Sequence, residues 1–265
     1  MNLHSYLLKN GDWCEATELP MSDRGFRLGM ALFETIRIHN SKAHLIQDHL
    51  LILRQSAAEL GFPAFASENL QSALGKLTLP HQGVLRLFIT AGPGSISDPI
   101  EAPQIIAYVE ERETRTSTSL KLVSSAEPLA DPFPSTKSVA YWHRAQTLAK
   151  AKALGADNVL VFNQAAALVG AATANVFLVL DGQLCTPRVE DGARPGVVRA
   201  WVMERRPVKV HTLRKQELAR ASEIFLCNSL IGIAPVGRLE STQFHRFHQA
   251  EALQADWEDA LKESG

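Results

Sequence analysis

The chain has 265 residues, 46% of them hydrophobic and 21% charged, enough to build a core without disulfide or metal staples. Its 27 basic and 28 acidic residues leave a net charge of −1, which argues against nucleic acid or an anionic membrane as the main partner. Cys14, Cys185 and Cys227 are isolated, and neither a secretory leader nor a bilayer-length apolar run is visible, so a cytoplasmic, reducing location is expected.

In chain order, residues 32–39 read as a strand, with Thr35, Ile36 and Ile38 favouring extended backbone. A turn at Asn40-Ser41-Lys42 leads to a return at 43–45. Residues 48–60 are helical, with Leu50, Leu53, Ala57 and Leu60 on one stripe and Gly61 and Pro63 as the stop. Strands are expected at 84–90 and 104–109. Residues 110–118 are polar and threonine-rich, the composition of a linker. This gives an N-terminal domain over 1–112, a linker over 113–119 and a larger C-terminal domain over 120–265. In the latter, a strand at 120–124 and a proline-bearing loop at 128–134 precede a helix at 142–154 that ends at Gly155. Short strands follow at 158–162, 175–180 and 183–185, the last two joined by the hairpin signal Asp181-Gly182. A helix at 197–205, a strand at 223–227 and an exposed terminal helix at 250–262 complete the pattern. Strands and helices that do not alternate strictly indicate α+β or irregular α/β rather than a doubly wound sheet.

General motifs exclude more than they assign. The chain lacks a Walker loop, a Rossmann glycine fingerprint, His-Glu-x-x-His and Gly-x-Ser-x-Gly. Residues 91–95 read as a turn rather than an anion cradle. His245 and His248 could share a helix face, but no third metal ligand is in view. His143 reads as a packed histidine. Asp23 and Glu34 are not an obvious acid pair, so a two-carboxylate hydrolase has no support.

Six stretches in order resemble the class IV (fold-type IV) pyridoxal-phosphate enzymes, which include branched-chain and D-amino-acid aminotransferases and 4-amino-4-deoxychorismate lyase. They are Asp23-Arg24-Gly25 running on to Phe33-Glu34-Thr35-Ile36-Arg37, His49-Leu50 with Ser56-Ala57, and Lys137 with Tyr141 and the run from Gly155 to Val161. The others are Thr173-Ala174-Asn175-Val176-Phe177, Pro195-Gly196-Val197-Val198-Arg199, and the run from Cys227 to Val236. Together they span residues 20–240.

The resemblance implies a two-domain α/β (α+β) fold, with a smaller N-terminal α/β domain and a larger C-terminal pseudo-barrel. It implies pyridoxal 5′-phosphate as cofactor, Lys137 as the Schiff-base lysine and proton shuttle, and Tyr141 near the ring's phenolic oxygen. The amides of Val197 and Val198 and the Ser229 hydroxyl would meet the phosphate. Arg194 stands where the family has a ring-backing leucine. A small amino substrate and a homodimer are expected, and Cys227-Asn228-Ser229-Leu230 looks most like the aminodeoxychorismate lyases. The chain also departs from the pattern. Gly170 replaces the glutamate that partners the pyridine nitrogen, Ile52 a phosphate-binding arginine, Val198 a threonine and Ala91 an arginine. Two readings remain open: a cofactor-dependent lyase or aminotransferase, or a scaffold that binds a ligand or serves as a subunit without that catalysis.

Overall fold

The computed structural model describes residues 3–16, 18–65, 67–113, 119–129, 131 and 133–263. The chain is mixed α/β, with two sheets in two compact units. One unit comprises Met1–Thr114 with Thr136–Ala140 and Leu261–Gly265, the other Arg115–Ser135 with Tyr141–Ala260. Most of the expected linker, residues 114–118, lies outside the described residues. Glu110 and Glu111 continue a strand instead of opening that linker.

In the first unit the strands are β1 (Leu3–Lys9), β2 (Asp12–Glu15), β3 (Ala31–His39), β4 (Lys42–Ala43), β5 (Gln82–Thr90) and β6 (Gln104–Glu111). They form one sheet in the order β2-β1-β6-β5-β3-β4. The helices are α1 (Arg24–Leu28), α2 (Ile46–Glu59) and α3 (Ser67–Leu74). Alternation along β3 turns Leu32, Ile36 and Ile38 into a core shared with Leu50, Leu53 and Ala57 of α2. The stripe read from the sequence is therefore the helix's buried face.

The Asp23-Arg24-Gly25 run is structural. Asp23 caps α1 by accepting from the Gly25 amide and also accepts from Thr90 Oγ1 at 2.6 Å. Arg24 is buried, and its guanidinium donates to the carbonyls of Ala91, Gly92, Ser95, Asp98 and Pro99. The glycine-rich loop thus wraps a cation with its carbonyls, the reverse of an anion cradle.

In the second unit the strands are β7 (Leu120–Ser124), β8 (Asn158–Phe162), β9 (Leu168–Ala171), β10 (Asn175–Leu180), β11 (Gln183–Thr186), β12 (Val208–Val210), β13 (Glu223–Asn228), β14 (Gly232–Leu239) and β15 (Thr242–Gln243). The sheet runs β12-β11-β10-β13-β14-β7-β8-β9, with β15 on β14. The helices are α4 (Trp142–Ala153), α5 (Val197–Arg205), α6 (Lys215–Leu218) and α7 (His248–Glu263). Positive φ at both Asp181 and Gly182 closes the β10–β11 hairpin as expected.

The last helix corrects an expectation. Ala250, Leu253 and Trp257 of α7 are buried, and Trp257 meets Trp201 edge-on at 5.0 Å, so only one side of α7 is exposed. Glu223 accepts from the Gln249 and Ala250 amides and caps this helix. His248 begins α7 while His245 precedes it, so the two do not share a helix face. Among the described residues there is no cluster that could hold a metal ion and no helix long and apolar enough to cross a membrane.

Candidate active site

Lys137 belongs to the first unit, a correction to the sequence division, which assigns it to the C-terminal domain. The reason is pairing. Its short segment runs antiparallel beside β3 through a bridge between Leu32 and Ser138. The Phe33 amide donates to Lys137 O at 2.9 Å, and the Val139 amide donates to Ala31 O at 3.0 Å. Residues facing each other across such a pair share a face, so Lys137 stands with Phe33 and Val139 with Ala31. Lys137 Nζ donates to Thr35 Oγ1 at 3.0 Å and lies 4.5 Å from the centre of the Phe33 ring. The amine is thus half-buried between a hydroxyl and an aromatic face.

The same register extends the surface. Thr35 is opposite Arg86, and Arg86 is opposite Tyr108. Arg86 donates to Glu110 Oε2 at 2.9 Å and covers the Tyr108 ring at 5.4 Å. Phe33 stacks on Phe88, with ring centres 5.6 Å apart.

The other face of β3 is anchored to α2. Glu34 Oε2 and His49 Nδ1 lie 2.8 Å apart, and both side chains are only 3% exposed. His49 in the sequence motif is therefore a strand-to-helix tie, invisible to a linear reading. His44, also buried, has its pKa pushed down to about 4, first by burial and then by the charges of Arg37, His39 and His49.

In the second unit, Gly196 is the N-cap of α5 and no side chain caps it. The first amides of a helix have no intrahelical acceptor, so those of Val197 and Val198 form a ready anion-binding end. Gly196 is required by close approach, since a Cβ there would fall 2.2 Å from Asn175 Oδ1. Asn175 Nδ2 donates to Arg194 O at 2.8 Å and so fixes the turn into α5. The Val197 and Val198 side chains are buried, so the position without the family's hydroxyl is a packing position here. Ser229 follows β13 in a turn braced by Asn228, whose side chain accepts from the Leu230 and Ile231 amides and donates to Thr173 O. Tyr141 precedes α4, and the Arg144 guanidinium sits 5.9 Å from its ring centre.

The structure thus gathers Arg194, Val197 and Val198 at one helix start, with Asn175 as their organiser. Sequence reading missed Asn175, Asn228 and Thr35 as working parts. Thr35 was legible in principle: it lies two residues beyond Phe33 on the same strand, hence on the same face. The departures are real in the fold. Arg54 is exposed and does not stand in for the half-buried Ile52. At Gly170 a Cβ would lie 3.1 Å from Ala174 O. The residues present therefore fit a phosphate and an amine-reactive carbonyl group, but offer no acid at Gly170 to a ring nitrogen.

Comparison with known proteins bears on the family and the fold. The D-alanine aminotransferase of Bacillus licheniformis is 24% identical over 251 residues, covering 88% of each chain. The structure of 4-amino-4-deoxychorismate lyase from Pseudomonas aeruginosa matches with a TM-score of 0.84 and 26% identity, covering 96% of this chain and 98% of that one. A Brucella abortus aminotransferase structure bound to the cofactor PLP matches in fold, with a TM-score of 0.81 and 22% identity over 96% of this chain and 99% of that one. The family model for amino-transferase class IV matches residues 31–239, and the chain belongs to that family.

Proposed function

We propose that this protein is a pyridoxal-phosphate-dependent lyase or aminotransferase in which Lys137 supplies the reacting amine. The observation that carries the reading is the placement of that amine, half-buried and held by Thr35 Oγ1 against the Phe33 ring. When bound, the cofactor supplies an aldehyde for the amine and an electron-withdrawing ring. Lys137 Nζ takes and returns the substrate's α-proton. The Val197 and Val198 amides and the Ser229 hydroxyl would hold the cofactor's phosphate. Tyr141 would meet the ring's phenolic oxygen and Arg194 would face the ring.

The finer reading within this proposal is 4-amino-4-deoxychorismate lyase activity, forming 4-aminobenzoate and pyruvate. Likeness to the Pseudomonas lyase and the Cys227-Asn228-Ser229-Leu230 run support it. A homodimer and a cytoplasmic location are proposed with it.

The test is absorbance and reduction. Protein incubated with pyridoxal phosphate should turn yellow, and borohydride should fix the cofactor on Lys137 but not on the Lys137→Ala variant. Colourless protein with no fixed cofactor sinks the enzyme reading and leaves the non-catalytic scaffold. Release of 4-aminobenzoate from aminodeoxychorismate, against exchange of amino groups between amino and keto acids, separates lyase from aminotransferase.

A further inference from the structure

Arg199 is the third residue of α5, on the same first turn as the Val197 and Val198 amides, and is only 7% exposed. Helical side chains lean toward the helix start, so its stem runs back toward the end where those amides lie open. The guanidinium donates from Nη2 to Pro187 O at 3.1 Å, while its buried Nε has no acceptor. Among the described residues no carboxylate pairs with it, and the charges that reach it come from Cys227 and Glu190. Neither balances it. The Cys227 thiol is buried and pushed up to about 12, so it is neutral at pH 7. Glu190 is exposed to solvent and lies 3.8 Å from Arg188 Nε. Burial pulls the Arg199 pKa down, yet a guanidinium keeps its proton. A buried cation without a counter-charge is costly to a fold, and its presence points to an anion that completes it.

The elements around Arg199 are those that build the phosphate end. α5 packs on β13, and Cys227 lies opposite Asn175 in the β10–β13 pairing. Asn175 fixes the turn into α5, and Ser229 follows Cys227 by two residues. The Arg199 charge is therefore set among the parts that present the α5 amides and the Ser229 hydroxyl. On α2 the family's phosphate-binding arginine is missing, with Ile52 in its place. We infer that Arg199 is the cation that balances the cofactor's phosphate, acting as a positioning residue from within the first turn of α5. The inference rests on the proposed phosphate site and not on Lys137 being the reacting amine.

The test uses ligands that cannot react with an amine. Full-length protein is titrated with pyridoxine 5′-phosphate and with pyridoxine, neither of which carries an aldehyde, and binding is followed by calorimetry. The parent should prefer the phosphorylated compound by at least about a hundredfold, as two or more charge-assisted contacts require. Arg199→Gln keeps a donor for Pro187 O but removes the charge, and should cut that preference about tenfold, while Arg199→Lys should keep most of it. Without ligand, Arg199→Gln should unfold in urea at or above the parent's midpoint, because it relieves an unpaired buried charge. An unchanged preference in Arg199→Gln overturns the inference, as does an equal loss of affinity for both compounds. An Arg199→Gln protein that fails to fold, or melts well below the parent's midpoint, also overturns it, since the guanidinium would then be a structural tie. A parent with no phosphate preference would sink the proposed phosphate site and the inference with it. Failure of borohydride to fix pyridoxal phosphate on Lys137, with the preference and its dependence on Arg199 intact, would sink the lyase or aminotransferase reading and leave the inference standing.

Discussion

Lys137 Nζ and Thr35 Oγ1 are joined by a 3.0 Å hydrogen bond that spans 102 residues of sequence. The bond exists because Thr136–Ala140 runs along the open edge of β3, so that a strand laid down early in the chain positions an amine that arrives much later. The Phe33 ring beneath the amine restricts its remaining freedom.

Thr35→Val keeps the shape of the side chain and removes the acceptor. A hydrogen bond to a charged donor contributes roughly 1.5–3 kcal/mol, so the orientation of the amine should be lost in most molecules. Fixation of pyridoxal phosphate by borohydride should slow by about tenfold, and Thr35→Ser should restore it. An unchanged rate in Thr35→Val would mean that the hydroxyl does not position the amine.

Val197→Pro tests the phosphate end separately. Proline is well tolerated at the first helical position, where its missing N–H had no intrahelical role, and Gly196 already has the extended backbone that proline requires before it (ψ 148°). The variant should melt within a few degrees of the parent and bind pyridoxal phosphate about tenfold more weakly, having lost one charge-assisted donor. Equal affinity would remove the start of α5 from the site.

His44 gives a pH signature. Its pKa in the fold is lowered from 6.5 to about 4, so the ring is neutral at pH 7 in the native protein. As pH falls below 6.5, the unfolded chain takes up the proton first. Stability is therefore fully present above pH 6.5 and is lost as the pH falls toward 4, by up to about 3 kcal/mol for this group. His44→Gln should flatten that slope in urea denaturation at pH 7 and pH 4.5. A slope equal to the parent's would place the effect elsewhere.

Much of the fold was written locally. The Asp181-Gly182 turn, the apolar stripe of α2 and the Gly196 start of α5 each carry their signal within a few residues. The Asn10-Gly11 turn carries the same kind of signal, with positive φ at both residues, and closes a β1–β2 hairpin that the sequence reading passed over. What no local pattern shows is pairing at long range. The company of Lys137, the Glu34–His49 tie and the buried face of α7 depend on strands and helices meeting across 15 residues or more. Lys137 is singled out by the motif order. Thr35 is not, because its role begins only when Lys137 lies beside it.

Gly170 is the sharpest departure from the family pattern, and restoring the missing acid is the obvious experiment. The backbone argues against a simple rescue. Gly170 has φ +158°, and a Cβ there would press on Ala174 O at 3.1 Å. That oxygen is not free to move, because it accepts the Ala171 amide at 2.8 Å in the turn that leads to Asn175. Gly170→Glu should therefore cost about 1–3 kcal/mol in denaturant unfolding, with Gly170→Ala costing nearly as much because the strain begins at Cβ. The Asn175–Arg194 contact lies downstream of that turn, so cofactor affinity should fall rather than rise in both variants. A Gly170→Glu protein as stable as the parent and binding pyridoxal phosphate more tightly would show that the turn yields, and that the glycine marks a lost acid rather than a backbone requirement.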